Sequence, residues 1–262
     1  MNLLAGHTNT YHTYSHDEAL AGIAAAGFKH VELSAVPGWT EHVALNGTDE
    51  VRRKLDHYGL TPVSISGHSD LTTPEGLEYG IKAVRWAAKY GIPIVNTAVG
   101  GHASQEESES AFLANIGALA DAAEAEGIVV ALEIHGDIMA SGEKTLPLLE
   151  KIGRDSIKVN YDTANCEFYG DVKAVDDIPK IAAHLAHVYL KDTTGGKGVW
   201  NFGALGTGVV DFAGVLQVLG DAGYTGPYSV ELEFQGEPWP PLADVNAAMK
   251  TSYEHLKSLG LS

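Results

Sequence analysis

The sequence predicts an α/β protein folded as a single (β/α)8 barrel, a TIM barrel, and three observations support this fold class. Short apolar runs alternate with helical patterns eight times along the 262 residues, which is the strand–helix count of such a barrel. Most of the helical patterns end at a glycine that directly precedes the next apolar run. No glycine-rich phosphate-binding loop follows any of the runs, which disfavours the alternative of a doubly wound open sheet.

The glycine junctions define the repeat. Glycine tolerates positive φ and is the usual residue where a helix stops before a strand begins. Such junctions occur at Gly27, Gly59, Gly91, Gly127, Gly153 and Gly223. The last gap is about twice as long as the others, so one further unit is expected inside it. The apolar run His187-Val188-Tyr189-Leu190 supplies that missing strand.

The strands and several helix starts follow from these patterns. The eight strands are predicted near residues 3–6, 29–34, 61–66, 92–98, 128–134, 157–161, 186–190 and 228–233. Ser15 and Glu18 have the spacing of a capping box, Pro74 suits the first position of a helix, and Asp211 can cap another. No linker or low-complexity segment interrupts the chain, so residues 1–262 are expected to form one barrel domain.

Composition excludes some partners. The 17 Lys and Arg residues against 34 Asp and Glu give a net charge of -17, which repels nucleic-acid backbones and anionic membranes. Cys166 is the only cysteine, so an intramolecular disulfide and a cysteine-based zinc site are ruled out. The N-terminus does not resemble a secretion signal, and no apolar run is long enough to span a membrane. These features predict a soluble, cytoplasmic protein.

Acidic residues stand at the ends of three predicted strands, which converge on one mouth in a barrel. Strand five ends in Glu133 and His135, strand six in Asp162, and strand eight in Glu231 and Glu233. Carboxylate oxygens suit Mg²⁺ or Mn²⁺. The sequence therefore predicts a divalent-metal site of Glu133, Asp162 and Glu231, although any single carboxylate can also serve as a hydrogen-bond anchor. Glu231 is preferred to Glu233 because it is the first polar residue after the apolar run.

Further polar and aromatic residues are predicted at the same mouth. The expected substrate contacts are His7, Glu32, His68, His102, Asn165 and Trp200, and Lys191 follows strand seven. His68 and His102 lie just past strands, where an imidazole reaches a substrate hydroxyl or plays a structural part. Trp200, with Trp39 and Trp239, forms either an apolar wall for a ring or core packing.

Seven short segments spread over the chain resemble a known superfamily. They are Val-Glu-Leu at 31–33, Ser-Gly-His at 66–68, Ala-Leu-Glu-Ile-His at 131–135, Asn-Tyr-Asp-Thr at 160–163, His-Val-Tyr-Leu-Lys-Asp at 187–192, Leu-Gly-Thr-Gly-Val-Val-Asp-Phe at 205–212 and Gly-Tyr-Thr-Gly-Pro-Tyr-Ser-Val-Glu at 223–231. Together they are similar to the xylose-isomerase-like barrels, which include sugar isomerases and epimerases, inosose dehydratases and type IV apurinic endonucleases. The endonuclease activity is disfavoured, because it requires extra histidine ligands and a basic groove.

The resemblance implies four metal ligands: a Glu after strand five, an Asp after strand six, a His in strand seven and a Glu after strand eight. Three of these match Glu133, Asp162 and Glu231. The histidine aligns with Tyr189, and Asn165 stands where many members have a histidine. Three outcomes stay open: the three carboxylates hold Mn²⁺ or Mg²⁺ with a water, the site recruits another ligand, or the metal is lost. The candidate replacement ligands are His135, His187 and Asn165.

The function that the resemblance implies is a sugar isomerase or epimerase acting on a ketose or keto-sugar. Such an enzyme removes a proton next to a carbonyl and forms a metal-stabilised enediolate. Glu133 and Glu231 would be the acid/base pair, Lys191 would steady the developing oxyanion, and His135 would shuttle protons or hold a hydroxyl.

Two alternatives start from the same residues. One is a lyase or dehydratase acting on a keto-sugar or keto-inositol, because it shares the first proton abstraction. The other is a metal-free sugar-binding barrel or the partner subunit of an active paralogue, which the tyrosine at position 189 favours. In each case the expected ligand is a small sugar or polyol, and a homo-oligomer is possible.

Overall fold

The protein is described by a computed structural model, which covers residues 2–47, 49–100 and 106–261. Eight parallel strands pair in sequence order, and the eighth pairs with the first to close the barrel. The strands are β1 Leu4–His7, β2 His30–Ser34, β3 Thr61–Ser66, β4 Ile94–Thr97, β5 Val129–Glu133, β6 Ile157–Asp162, β7 Leu185–Leu190 and β8 Tyr228–Val230. The predicted (β/α)8 barrel is therefore confirmed.

Helices surround the barrel on the outside. Within the described ranges they are α1 His16–Ala26, α2 Glu50–Tyr58, α3 Pro74–Tyr90, α4 Glu106–Glu126, α5 Gly142–Ile152, α6 Asn165–Phe168, α7 Ala174–Ile181, α8 Phe212–Asp221 and α9 Leu242–Ser258, with short 3-10 turns at Thr8–Tyr11 and Ala182–His184. None of these helices combines the length and the apolarity that crossing a bilayer demands.

The helix starts predicted from Ser15, Pro74 and Asp211 are confirmed. Ser15 and Glu18 form both hydrogen bonds of a capping box at the start of α1. α3 begins at Pro74, and the Asp211 side chain caps α8 by accepting a hydrogen bond from Gly214 N. All six junction glycines have positive φ, so each one ends a helix in a conformation that other residues rarely adopt.

Strand β8 is shorter than predicted. It ends at Val230 rather than near residue 233. Glu231 N still donates to Leu190 O of β7 over 3.2 Å, and two residues later the chain pairs with the segment after β7, where Glu233 N donates to Phe202 O over 3.0 Å. Both Glu231 and Glu233 consequently lie past the last regular rung of the barrel, on the side where the strands end.

The barrel interior is polar and its outer layer is apolar. Along β7, Val188 and Leu190 point to the helices and belong to the hydrophobic core. The alternate residue His187 points inward, where its Nε2 lies 3.1 Å from both Ser64 Oγ and Ser229 Oγ. Since side chains alternate along a strand, the residues that follow His187 by two and four positions, Tyr189 and Lys191, also face inward.

Candidate active site

A cavity of about 470 Å³ opens at the C-terminal ends of the strands. The polar side chains that line it are Asn9, Ser66, His68, Ser69, Glu133, His135, Lys191, Glu231 and Glu233, and Val36, Pro37, Trp39, Ala98, Gly100 and Trp200 complete the wall. A larger groove of about 630 Å³ runs along α3 outside the barrel and contains none of the acids at the strand ends. The chemistry predicted from the sequence therefore belongs to the smaller cavity.

Three buried carboxylates converge beneath this cavity. Glu133, Asp162 and Glu231 each offer one oxygen, and the three oxygens lie within 4.8 Å of one another. Glu133 ends β5, Asp162 ends the neighbouring β6, and Glu231 follows β8. The curvature of the barrel brings Glu231 to the other two, because β7 separates β8 from β6 in the sheet.

Asp162 has one satisfied and one unsatisfied oxygen. Its Oδ1 accepts hydrogen bonds of 2.8 Å from Ala164 N and Asn165 N, which form the turn into α6. Its Oδ2 is buried and has no hydrogen-bond partner. Burial, followed by the charges of Glu133 and Glu231, raises the pKa of Asp162 to about 7 against the opposing effect of Lys191.

Three side chains contact Glu133. His68 Nε2 lies 2.6 Å from its Oε2, Asn165 Nδ2 donates to its Oε1 over 2.7 Å, and His135 Nδ1 lies 3.5 Å from the same oxygen. Burial by itself raises the pKa of Glu133, but His135 and His68 outweigh it and lower the pKa to about 2. Ser66 Oγ lies 2.7 Å from the other ring nitrogen of His68 and orients the imidazole.

Lys191 places an ammonium group among the carboxylates. Its Nζ lies 3.4 Å from Asp162 Oδ2 and 3.2 Å from Glu231 Oε2, and it also contacts Glu233 Oε2. The Phe202 ring centroid is 4.5 Å away. Burial by itself lowers the pKa of Lys191, but the acids around it raise the pKa well above the usual value, so the side chain is charged at neutral pH.

Glu231 and Glu233 share a partner that the sequence reasoning passed over. Asn9 Nδ2 donates to Glu231 Oε1 over 3.0 Å and to Glu233 Oε1 over 3.3 Å. Its Oδ1 accepts a hydrogen bond from Trp39 Nε1 over 2.9 Å. The signal for Asn9 was available, because it follows directly after β1 and the chain that follows a barrel strand lies at the mouth.

The oxygens present suit a divalent cation. Three carboxylates offer hard donors of the kind that Mg²⁺ and Mn²⁺ prefer. The buried, unsatisfied Oδ2 of Asp162 is a donor atom that a cation would satisfy. The donor set of this site therefore fits a divalent metal held by Glu133, Asp162 and Glu231.

The tyrosine at the position of the family's metal histidine is engaged elsewhere. Tyr189 is fully buried, and its hydroxyl donates to Glu32 Oε1 over 2.6 Å. Glu32 also accepts from Asn96 Nδ2 over 2.7 Å and lies 3.2 Å from His187 Nε2. Burial by itself raises the pKa of Glu32, but His7, His187 and the Tyr189 hydroxyl hold it well below its usual range.

Two of the candidate replacement ligands, His187 and Asn165, already contact other residues. His187 has Nδ1 2.9 Å from Asn160 Oδ1 and its Nε2 against Ser64 and Ser229. The Asn165 side chain directs its Nδ2 at Glu133 and at the Ile134 carbonyl. His135 is the replacement candidate that lines the cavity. Its Nε2 lies 3.1 Å from the Tyr169 hydroxyl.

His7 lies between Glu231 and the buried Glu32. Its Nδ1 is 3.0 Å from Glu231 Oε1, although the ring is not aligned for a good hydrogen bond. Its ring stacks on Tyr189 with centroids 5.3 Å apart. Burial by itself lowers the pKa of His7, but Glu32 and Glu231 outweigh it and raise the pKa.

The predicted site residues divide into two groups around the cavity. Those that line it are Glu133, His135, His68, Lys191, Glu231 and Trp200. Those that are buried in contact with these residues or with one another are Asp162, Asn165, His7 and Glu32. The remaining prediction, His102, falls outside the described residues.

Two of the three predicted tryptophans form part of the wall. Trp200 donates from Nε1 to Phe234 O over 2.9 Å and packs against Phe202. Trp39 stacks on His12 with centroids 3.8 Å apart and remains 41% exposed at the mouth. Trp239 does not line the cavity and packs in the core with its Nε1 bonded to Thr10 O.

The loop after β7 is organised by one carboxylate. Residues 191–210 contain six glycines. Asp192 accepts hydrogen bonds from the backbone N–H groups of Gly206, Gly208 and Val210 at 2.8 to 3.1 Å. A side chain at position 208 would collide with Asp192, so this glycine permits the close approach of the loop.

Sugar epimerases are among the proteins to which the chain is similar. It is 28% identical over 235 residues to an L-ribulose 3-epimerase of Methylomonas sp., covering 82% of this chain and 77% of that protein. It is 26% identical over 202 residues to an L-ribulose-5-phosphate 3-epimerase of Salmonella paratyphi B, covering 75% and 69%. The crystal structure of a D-allulose 3-epimerase from Methylomonas sp. superposes with a TM-score of 0.77 at 22% identity and 98% coverage of both chains, which shows the shared fold.

The family model described as the xylose isomerase-like TIM barrel matches residues 20–259. That span takes in all strands except β1 and includes Glu133, Asp162 and Glu231. The closed eight-stranded barrel and its three converging carboxylates agree with the match. The chain therefore belongs to the xylose isomerase-like TIM barrel family.

Proposed function

We propose that the protein is a sugar epimerase, which inverts the configuration of a free ketose at the carbon next to its carbonyl. The observation that carries the proposal is that Glu133 and Glu231 line the same cavity and come from strands that are not neighbours in the barrel. Two carboxylates that reach one small-molecule cavity from separate strands suit proton removal on one face and return on the other. The two curated relatives described above, both named as 3-epimerases, support this choice.

Glu133 and Glu231 are the proposed acid/base pair. The ionised form of each is favoured, because contacts with His135, His68, Lys191 and His7 lower both pKa values despite burial. One carboxylate takes the proton from the sugar carbon. The other returns a proton, received from solvent, to the opposite face, and the two exchange roles in the reverse reaction.

Glu133, Asp162 and Glu231 would also hold a divalent metal, Mn²⁺ or Mg²⁺. When bound, such a cation supplies charge stabilisation to the carbonyl and the neighbouring hydroxyl oxygen. Lys191 lies against Glu231 and lines the cavity, which suits it to donate a hydrogen bond to the oxygen that gains charge during enediolate formation.

The remaining site residues are proposed to bind the sugar or to support the reacting carboxylates. His68, His135 and Trp200 line the cavity and would contact the sugar hydroxyls and one face of its carbon skeleton. Asn165, His7 and Glu32 would hold the reacting carboxylates in place, because each contacts Glu133, Glu231 or their neighbours. The proposed role of His102 in substrate binding remains a prediction from the sequence.

The setting of the reaction is also a proposal. We infer that the protein acts on a small sugar in the cytoplasm, where its one thiol, Cys166, stays reduced. That thiol is buried, and burial raises its pKa, which makes it unreactive. Assembly into a homo-oligomer or with a paralogous subunit is a prediction that light scattering of the purified protein checks.

The proposal is tested by incubating the protein with L-ribulose or D-allulose in D2O. We expect the epimer as product, with one deuterium at the inverted carbon, because the returned proton comes from solvent. Glu133→Gln should reduce kcat at least about 10²-fold, the low end of what a general base contributes. Glu254→Gln, the same change on the exposed face of α9, is the control. A product without label would contradict the epimerase. A product that has lost water would also contradict it and would indicate a lyase.

A further inference from the structure

Lys191 contacts two of the three carboxylates that would hold a divalent cation. Asp162 and Glu231 belong to the three-carboxylate cluster, and both lie within 3.4 Å of Lys191 Nζ. Two cations a few ångströms apart in a buried site repel each other strongly. The ammonium group and a divalent metal therefore cannot both stay among these oxygens.

The contacts of Lys191 are unequal. At 3.4 Å from Nζ, Asp162 Oδ2 remains without a hydrogen bond. On another side Nζ hydrogen-bonds Glu233 Oε2 and lies over the Phe202 ring, and Glu233 is not part of the three-carboxylate cluster. A metal would thus compete with Lys191 for Asp162 and Glu231. Glu233 and Phe202 would remain available to the lysine.

The buried carboxylates require a positive charge beside them whether or not a metal is bound. Four carboxylates, those of Glu133, Asp162, Glu231 and Glu233, contribute to raising the pKa of Lys191. Among the described residues that line the cavity, Lys191 is the one Lys or Arg side chain. Buried carboxylates without a counter-ion repel one another and are destabilising.

We propose that Lys191 is the resident cation of this site and an internal competitor for the metal. In the metal-free protein it neutralises Asp162 and Glu231. On metal loading it releases these two residues and stays with Glu233 and Phe202. The inference rests on the metal site of the proposed function but not on the reaction that the site catalyses.

The test is the affinity of the full-length, chelator-stripped protein for Mn²⁺, measured from the electron paramagnetic resonance signal of the free ion. Lys191→Met removes the competitor, so its Kd for Mn²⁺ should fall at least about tenfold. Lys197→Met makes the same change at an exposed position of the same loop and should leave Kd within about twofold. Lys191→Gln, which keeps a polar end, is measured beside them in case the methionine variant folds poorly.

A double-mutant cycle tests the second set of partners. Glu233→Gln should weaken Mn²⁺ binding at least about threefold, because the lysine then remains with Asp162 and Glu231. In the Lys191→Met background the same change should have little effect, since no ammonium remains to be retained. Equal effects in the two backgrounds would show that Glu233 acts only through its own charge and would overturn its role as the alternative partner.

Thermal unfolding supplies a readout without metal titration. The metal-free Lys191→Met protein should melt below the wild type, and saturating Mn²⁺ should raise its Tm by more than it raises that of the wild type. A Kd in Lys191→Met and Lys191→Gln no lower than the wild-type value would overturn the proposal. The absence of Mn²⁺ binding in every variant would also overturn it, whereas the deuterium experiment would still report separately on the epimerase.

Discussion

Tyr189 is a residue whose hydrogen bond distinguishes this site from the metal site that the resemblance implies. The resemblance places it where relatives carry a metal histidine, and its hydroxyl donates instead to Glu32. A phenol buried beside several acids has a pKa well above its usual value, so it remains neutral and is a poor ligand for a hard cation. Its structural part is to give the buried Glu32 carboxylate a hydrogen-bond donor.

Replacing Tyr189 separates these two roles. We expect Tyr189→Phe to bind Mn²⁺ with a Kd within about threefold of the wild type, because the hydroxyl is not among the proposed metal donors. The free energy of unfolding should fall by about 1–3 kcal/mol, because a buried charged acceptor loses a donor. Metal titration and urea denaturation measure the two quantities. Loss of metal binding with unchanged stability would instead make the Tyr189 oxygen a ligand.

At the scale of elements, the contact between α1 and α9 joins the beginning of the barrel to its end. Gly22 in α1 faces the Tyr11 hydroxyl and Asn246 Oδ1, which hydrogen-bond to each other over 3.0 Å. A Cβ at position 22 would lie 2.2 Å from the hydroxyl. Tyr11 is fully buried and has little room to move, so this contact depends on the glycine.

Gly22→Ala tests that contact. The added methyl should lower the free energy of unfolding by about 1–3 kcal/mol, the usual cost of overpacking, even though alanine is the better helix former. Gly117→Ala is the matched control, because Gly117 lies inside α4 with nothing within 4 Å of its added Cβ. It should raise stability by about 0.5–1 kcal/mol. Urea denaturation of both variants measures these changes. Equal changes in the free energy of unfolding would refute the steric account.

At the scale of the whole molecule, the negative charge of the protein is expected to determine whether the preferred sugar carries a phosphate. The chain carries a net charge of -17, and the cavity presents Glu133, Glu231 and Glu233. The lysine that lines the cavity, Lys191, is already paired with Glu231 and Glu233. A sugar phosphate would bring further negative charge into this field with no unengaged cation to meet it among the described lining residues.

We therefore expect an unphosphorylated ketose to be the better substrate. The kcat/KM for L-ribulose should exceed that for L-ribulose 5-phosphate by at least about 10²-fold, which corresponds to about 2.7 kcal/mol of transition-state binding. Added salt should narrow the ratio, because screening weakens the repulsion. Steady-state kinetics at two ionic strengths measure both effects, and a preference for the phosphate ester would contradict this view of the cavity.

Much of this molecule could be predicted from local patterns. The eight strands, the six junction glycines and the caps at Ser15 and Asp211 each depend on neighbouring residues, and each is confirmed. The convergence of acids also followed, because parallel strands in a barrel end at one mouth. Asn9 could have been found in the same way, from its place directly after β1.

The partners of each acid could not be predicted, because they come from residues distant in the chain. Periodicity and glycine placement are local properties, so the order of residues alone specified the barrel and the end at which its chemistry lies. Closure of the sheet then determined that Tyr189 bonds Glu32, that His68 holds Glu133 and that Lys191 lies among Asp162, Glu231 and Glu233. Those contacts set the charge of the site, since burial and neighbouring charges shift each pKa away from the ordinary value of its residue type.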